Sequence, residues 1–182
     1  MGLTIADTYY LKAKAATSGY CSDWEEVCES LNYALSYDEH HCASLCLLGE
    51  IYADQLLAPE KAFECFDKIM TIDTHYVAVY YAYIKHLIWY KETERAKKLV
   101  TFALTITTID KAQIYWLSSY VKETLDDFNG ALKDLKKAKK YIYNDHYMDF
   151  INDEEKRIKK KIKPDNKEQK TKKSKKGKKK KK

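Results

Sequence analysis

The residues best suited to chemistry gather near position 41. His40-His41-Cys42 is followed by Cys46, and Cys65 lies in the next helical stretch. Cys42 and Cys46, four residues apart, share a helix face, and with His41 they would offer three soft ligands to zinc. The spacing matches no known finger. Cysteine at helical positions usually acts as a small hydrophobe, and a histidine at a helix junction stays hydrated. That second reading is the expectation, so no metal and no cofactor is predicted.

Carboxylates offer a second kind of chemistry. Asp38, Asp73, Asp110 and Asp145 recur along the chain, but general acid–base work needs titratable groups converging in a pocket. At helix junctions a short acceptor side chain satisfies free amides, and these four are expected to be caps. The sequence contains no Gly-rich phosphate loop and no nucleophile–base constellation, so an enzyme is not expected. The five cysteines form an odd set without an extracellular framework spacing, which points to reduced thiols and a cytoplasmic location. No window reaches the roughly 18 apolar residues of a membrane span, so no transmembrane segment is predicted. Gly2 would need Ser or Thr at position 6 for myristoylation and the chain has Ala6.

The elements that would position any site are helical. Only five Gly and two Pro occur in 182 residues, which favours long helices and short turns. Leu45-x-x-Leu48-Gly49-x-x-Tyr52 is followed by Ala62-x-x-x-Phe66-x-x-Ile69. Two antiparallel helices can approach closely where Gly49 and Ala62 replace bulky side chains. Val27, Ala62, Ala96 and Ala131 are separated by 35, 34 and 35 residues, and Ala34, Ile69, Ala103 and Ala138 follow seven residues later in each case.

This arrangement resembles the tetratricopeptide (TPR) repeat. The resemblance implies an all-α fold, a right-handed α-α superhelix or TPR-like solenoid of about four helix-turn-helix repeats with a C-terminal capping helix. Residues 1–145 would form the repeat domain, with units at about 8–41, 42–76, 77–110 and 111–145. The first unit would be an N-terminal cap, since Lys14-Ala15 stands in place of Leu48-Gly49. Gly19, Pro59 and Gly130 fall where helices must be joined, and Lys91-Glu92-Thr93 takes that place in the third unit. Ser22 or Asp23 would cap the second helix. In the third unit Tyr80–Lys85 and Glu94–Lys98 also resemble the half-a-TPR repeat, which is associated with RNA-processing assemblies. The β-branched run Thr105–Ile109 should end a helix. Residues 146–163 form an amphipathic capping helix, with Tyr147, Phe150, Ile151, Ile158 and Ile162 on one stripe.

From Pro164 the composition changes. Residues 164–182 include eleven lysines and no large apolar side chain, so a disordered Lys-rich tail is expected. Residues 1–155 carry 16 basic against 25 acidic residues, whereas 156–182 carry 17 basic against two acidic. An acidic body thus bears a basic appendage.

The resemblance implies a protein–protein interaction adaptor or scaffold, binding a peptide segment or partner helix in a concave groove lined by the first helix of each repeat. Carried onto this chain, the groove positions are Tyr9 and Lys12, Cys46 and Glu50, Tyr81 and Lys85, and Tyr115 and Ser119. Glu50, Lys85 and Ser119 stand where the asparagines of a chaperone-binding carboxylate clamp would be, so that partner class is disfavoured. The competing packing reading places Tyr81 and Tyr115 between adjacent first helices. The functional alternative is a nucleic-acid- or ribosome-associated factor attaching through the tail. Contact with RNA, DNA or another polyanion would then be non-specific, driven by counterion release.

Overall fold

The computed structural model describes residues 2–17 and 23–178, with side chains through residue 162. Among the described residues nine α-helices follow one another: α1 Ile5–Ala16, α2 Trp24–Tyr37, α3 Cys42–Asp54, α4 Pro59–Ile72, α5 Ala78–Trp89, α6 Thr93–Ala103, α7 Lys111–Glu123, α8 Phe128–Ala138 and α9 Asp145–Lys178. A single 3-10 turn, Lys139–Tyr141, precedes α9. The described residues contain no strand. The chain divides into two compact units, 1–92 and 93–182. The division falls at the turn between α5 and α6, inside the third expected repeat.

The spacing of small residues has a direct structural counterpart. Val27, Ala62, Ala96 and Ala131 each occupy the fourth position of a second helix. All four, and Ala34, Ile69, Ala103 and Ala138 two turns later, are completely buried. One face of each even-numbered helix is therefore kept small or branched where a neighbour must come close.

In the first unit α1 packs on α2 and α3 on α4, while α5 lies against both α3 and α4. Ala13, Val27, Leu31, Leu48, Ile51 and Cys65 form a shared core. The small residue of α1 is Ala13, completely buried, whereas Lys14 and Ala15 are exposed. Lys14-Ala15 is therefore not the counterpart of Leu48-Gly49. The caps explain the slip: six positions separate the cap residues Thr17 and Asp23, against three between Gln55 and Ala58, so counting residues across that turn loses the register.

Gly49 is required by Phe66. A Cβ on Gly49 would lie 2.7 Å from Phe66 Cε1, and the Phe66 ring is completely buried against Tyr83 and His86. The ring has nowhere to move, so overpacking outweighs the roughly 1 kcal/mol of helix propensity that alanine would add. Gly49→Ala is expected to destabilise this unit by about 1–2 kcal/mol net, and Phe66→Leu in the same chain to recover part of the loss. Urea denaturation of the wild type and the two variants checks it; an unchanged Gly49→Ala would contradict the packing.

Among the described residues, the turns before α4, α6 and α8 are made without glycine in a left-handed position. Leu57, Lys91 and Asp126 adopt positive φ of 50°, 65° and 59°, each two residues before the next helix. Around the last two, Glu92 N donates to Leu87 O at 2.8 Å and Asp127 N to Lys122 O at 3.0 Å, the six-to-one bond of a Schellman ending. Pro59 opens α4 as expected. Gly130, by contrast, lies inside the first turn of α8, where its N–H donates to the cap Asp127 at 2.8 Å. The residue that bends the chain there is Asp126. Gly19 and Ser22 lie outside the described residues; Asp23 caps α2 through Glu25 N and Glu26 N.

Of the four junction aspartates, Asp110 caps α7 by accepting from Gln113 N at 3.2 Å. Asp38 and Asp73 instead end α2 and α4, and each accepts from the amide two residues on, His40 N and His75 N. These are Asx turns that carry the chain into the following helix. Asp145 is the first residue of α9, and Asn144 accepts from Tyr147 N at 2.7 Å.

In the second unit α6 packs on α7, α7 on α8, and α8 on α9. The run Thr105–Ile109 is not helical, and Ile106 and Ile109 are buried within it. Helix α9 closes the core of Ala131 and Leu135 with Ile151 and Ile158, aided by Tyr147 and Ile162. Phe150 is 40% exposed but meets Trp116 edge-on at 5.3 Å. Ion pairs pin the same helix: Arg157 grips Glu123 with both terminal nitrogens, at 2.5 and 2.6 Å, and Lys161 reaches Glu123 at 2.5 Å. Helix α9 runs on through Pro164 in the described backbone. The sequence places the end of the capping helix at 163 and a disordered tail from 164, whereas the described backbone stays helical to Lys178; residues 179–182 lie outside the described residues.

Candidate partner-binding face

In the first unit the first helix α3 adjoins both α1 and α5. His41 caps α3: its Nδ1 accepts from Ser44 N at 3.3 Å and lies 2.7 Å from Ser44 Oγ. With Nδ1 as acceptor, Nε2–H donates to Asp7 Oδ1 at 3.2 Å, joining α1 to α3. Both ring nitrogens of His41 are thus engaged within the protein. Among the described residues no group of three His, Cys, Asp or Glu side chains is arranged to hold a metal ion. Cys46 is buried and its thiol is pushed up to about 12, and Cys65 to about 11, both chiefly by burial. Neither supplies thiolate near neutral pH. Cys28 and Cys42 are also unpaired thiols; Cys21 lies outside the described residues.

On the α3–α5 side, Glu50 and Lys85 come together around Asp54. Lys85 Nζ donates to Asp54 Oδ2 at 3.0 Å, and Asp54 Oδ1 lies 3.6 Å from Nδ1 of the buried His86. Burial raises the Glu50 carboxyl above its ordinary value, Lys85 opposing and Asp54 reinforcing the shift. Glu50 itself makes no hydrogen bond or ion pair among the described residues. It borders a cleft of about 190 Å³, together with Thr17, Trp24, Leu47, Ile51, Asp54 and Gln55. Tyr81 is half-buried one turn before Lys85 on α5.

The remaining groove positions lie elsewhere. Tyr9 stacks on Tyr33 and Tyr37 of α2, at 5.5 and 6.0 Å, and Lys12 pairs with Glu26 of α2 at 3.4 Å. Both are therefore turned toward α2, which follows from the register of Ala13. In the second unit Tyr115 stacks on Tyr141 at 5.9 Å, with Lys137 over its ring. Ser119 is buried, and its hydroxyl donates to Trp116 O at 2.6 Å. Tyr115 borders a second cleft, of about 360 Å³, with Lys97, Lys122, Asp134 and Lys137. Asp134, nearly inaccessible, accepts from Ser118 and Lys122 at 2.6 Å each and from Lys137 at 3.3 Å. The structure thus brings together Glu50 and Lys85, and adds Asp54, Trp24 and His86, which the repeat register alone did not single out. Of these only Asp54 had a signal in the sequence, its i, i+4 spacing from Glu50 on a helix otherwise without charge; Trp24 and His86 had none.

No family model matches the chain and no curated protein is similar enough to align with it. Solved structures do align. A MamA crystal structure shares 20% identity, covering 76% of this chain and 74% of its own, with a TM-score of 0.58. PilW, a widely conserved type IV pilus biogenesis factor, shares 18% identity over 75% of this chain, with a TM-score of 0.67. This chain spans 62% of the PilW chain. A MamA RS-1 double mutant aligns over 85% of this chain and 89% of its own, at 16% identity and a TM-score of 0.63. At such identities the likeness concerns the fold. The chain is an all-α, TPR-like helical solenoid protein.

Proposed function

We propose that this protein is a protein–protein interaction adaptor whose binding surface is the face of α1, α3 and α5 around Glu50, Asp54 and Lys85. The observation that carries the reading is the partly open charge cluster beside an apolar cleft on adjoining first helices. TPR-like folds expose such a face because each hairpin buries one side on its neighbour and leaves the other to a ligand. Residues Glu50, Tyr81 and Lys85 of the expected row contribute to it. A partner would be held by side-chain pockets and by charge register, as an extended peptide or a helix. The tail supplies at most non-specific attraction to polyanions.

The test is affinity capture with the wild-type chain, with Tyr81→Ala/Lys85→Glu, and with a chain ending before Pro164. Partners are expected to persist without the tail at moderate salt and to be lost from the double variant. Partners unchanged in the double variant would refute this face. Association that disappears with the tail would favour attachment through the lysines.

A further inference from the structure

The cleft beside Glu50 has a chemistry more specific than a generic groove. We infer that it is the anchor pocket for a single lysine or arginine side chain of a partner segment, with Glu50 as the ion-pairing group. The inference rests on the adaptor reading above and specifies its ligand.

Three observations converge. The first is size: about 190 Å³ suits one long side chain, since pockets for drug-sized ligands run to about 300–1,000 Å³. The second is the wall. Leu47, Ile51 and Trp24 offer apolar surface for an aliphatic stem, and an indole face also attracts guanidinium and ammonium groups. The third is the carboxylates. Asp54 is engaged by Lys85 at 3.0 Å, Asp7 by Thr4 and His41, and Asp134 and Glu123 by lysines and Arg157. Glu50 is half-buried and has no such partner, and Lys85 acts on it only through space.

A partly desolvated carboxylate without a hydrogen bond is an unsatisfied group, and a cation delivered by a ligand would satisfy it. The same geometry rejects the opposite charge. Glu50 and Asp54 at the rim would repel a peptide carboxyl terminus, so the recognition is opposite in sign to a carboxylate clamp. Residues 1–155, with 25 acidic against 16 basic side chains, present a field that favours a basic segment as well.

A random dodecapeptide display library selected on the full-length chain tests the idea, with Glu50→Gln selected in parallel. Glu50→Gln keeps the shape of the side chain, and its melting temperature, expected to equal or exceed that of the wild type, shows that it folds. Wild-type selections are expected to carry Lys or Arg at one fixed position, and Glu50→Gln selections to lose that preference. For a selected peptide, replacing that residue by norleucine should weaken binding to the wild type by about ten- to a hundredfold and leave binding to Glu50→Gln nearly unchanged. Peptides that bind without a fixed basic position, or whose basic preference survives Glu50→Gln, would overturn the anchor while leaving the adaptor reading intact. Selections that yield no binding peptide would overturn both.

Discussion

Replacing Phe66 with alanine is expected to destabilise the unit formed by residues 1–92 by about 3–5 kcal/mol. Phe66 is completely buried, and its ring centroid lies 5.1 Å from that of Tyr83 and 5.9 Å from that of His86. On its other side it fills the space over Gly49. Contacts from α3, α4 and α5 therefore meet on one ring. The cavity left by its removal cannot collapse readily, because the glycine has no side chain to advance and Tyr83 is tied by its hydroxyl to Asp67. Hydrogen exchange of α3–α5 amides under native conditions measures the loss within this unit. Protection reduced by less than about tenfold, equivalent to about 1.4 kcal/mol, would show that Phe66 is not the keystone.

The second large effect is on acid stability. His86 is 1% exposed, its Nε2 has no protein partner, and its pKa is lowered from 6.5 to about 4, first by burial and then by Lys85, with Asp54 opposing. The folded state therefore holds the ring neutral, whereas the unfolded chain protonates it below about 6.5. Stability conferred by neutral His86 is complete above the unfolded pKa and declines as pH falls from about 6.5 toward the folded value of about 4. The full loss is roughly 3 kcal/mol, from 1.36 kcal/mol per pKa unit. Glu50, whose pKa is raised by burial, works in the opposite sense, since its protonation on acidification relieves a desolvated charge. The net slope is expected to remain destabilising toward acid. His86→Leu should flatten it, and denaturation midpoints between pH 7 and 4 read the difference; identical slopes in the two proteins would remove His86 as the cause.

Much of this architecture was legible in the sequence. A repeat of small residues at 35, 34 and 35 positions can arise only where helices of similar length cross at similar points, and all eight marker positions are completely buried. Asp23, Pro59 and Asp110 mark helix starts by their chemistry, whereas Gly130 lies inside α8. Register within the first repeat was less legible, because the Thr17–Asp23 connection is longer than its counterpart. A spacing rule fixed at Gly49 therefore placed Tyr9 and Lys12 on a face that the fold turns toward α2. Of the three non-glycine left-handed residues, the bend at Lys91 falls in the expected Lys91-Glu92-Thr93 turn, whereas Leu57 and Asp126 were not singled out, the neighbouring Pro59 and Gly130 having drawn the turns to themselves.

What the sequence determined by itself was local and periodic: which segments are helices, where small residues let them touch, and which end of the chain carries the positive charge. Tertiary structure decided which polar groups meet. Asp7 and His41 are 34 positions apart, Asp54 and Lys85 31, Glu123 and Arg157 34, and no periodic rule distinguishes a carboxylate that will find a cation from one that will not. Glu50 and Asp54 read alike in sequence as two acids four apart on one helix. The packing of α5 gives Asp54 its lysine and leaves Glu50 half-buried without one, because a pairing distance of about 3 Å is set by helix placement and not by residue type.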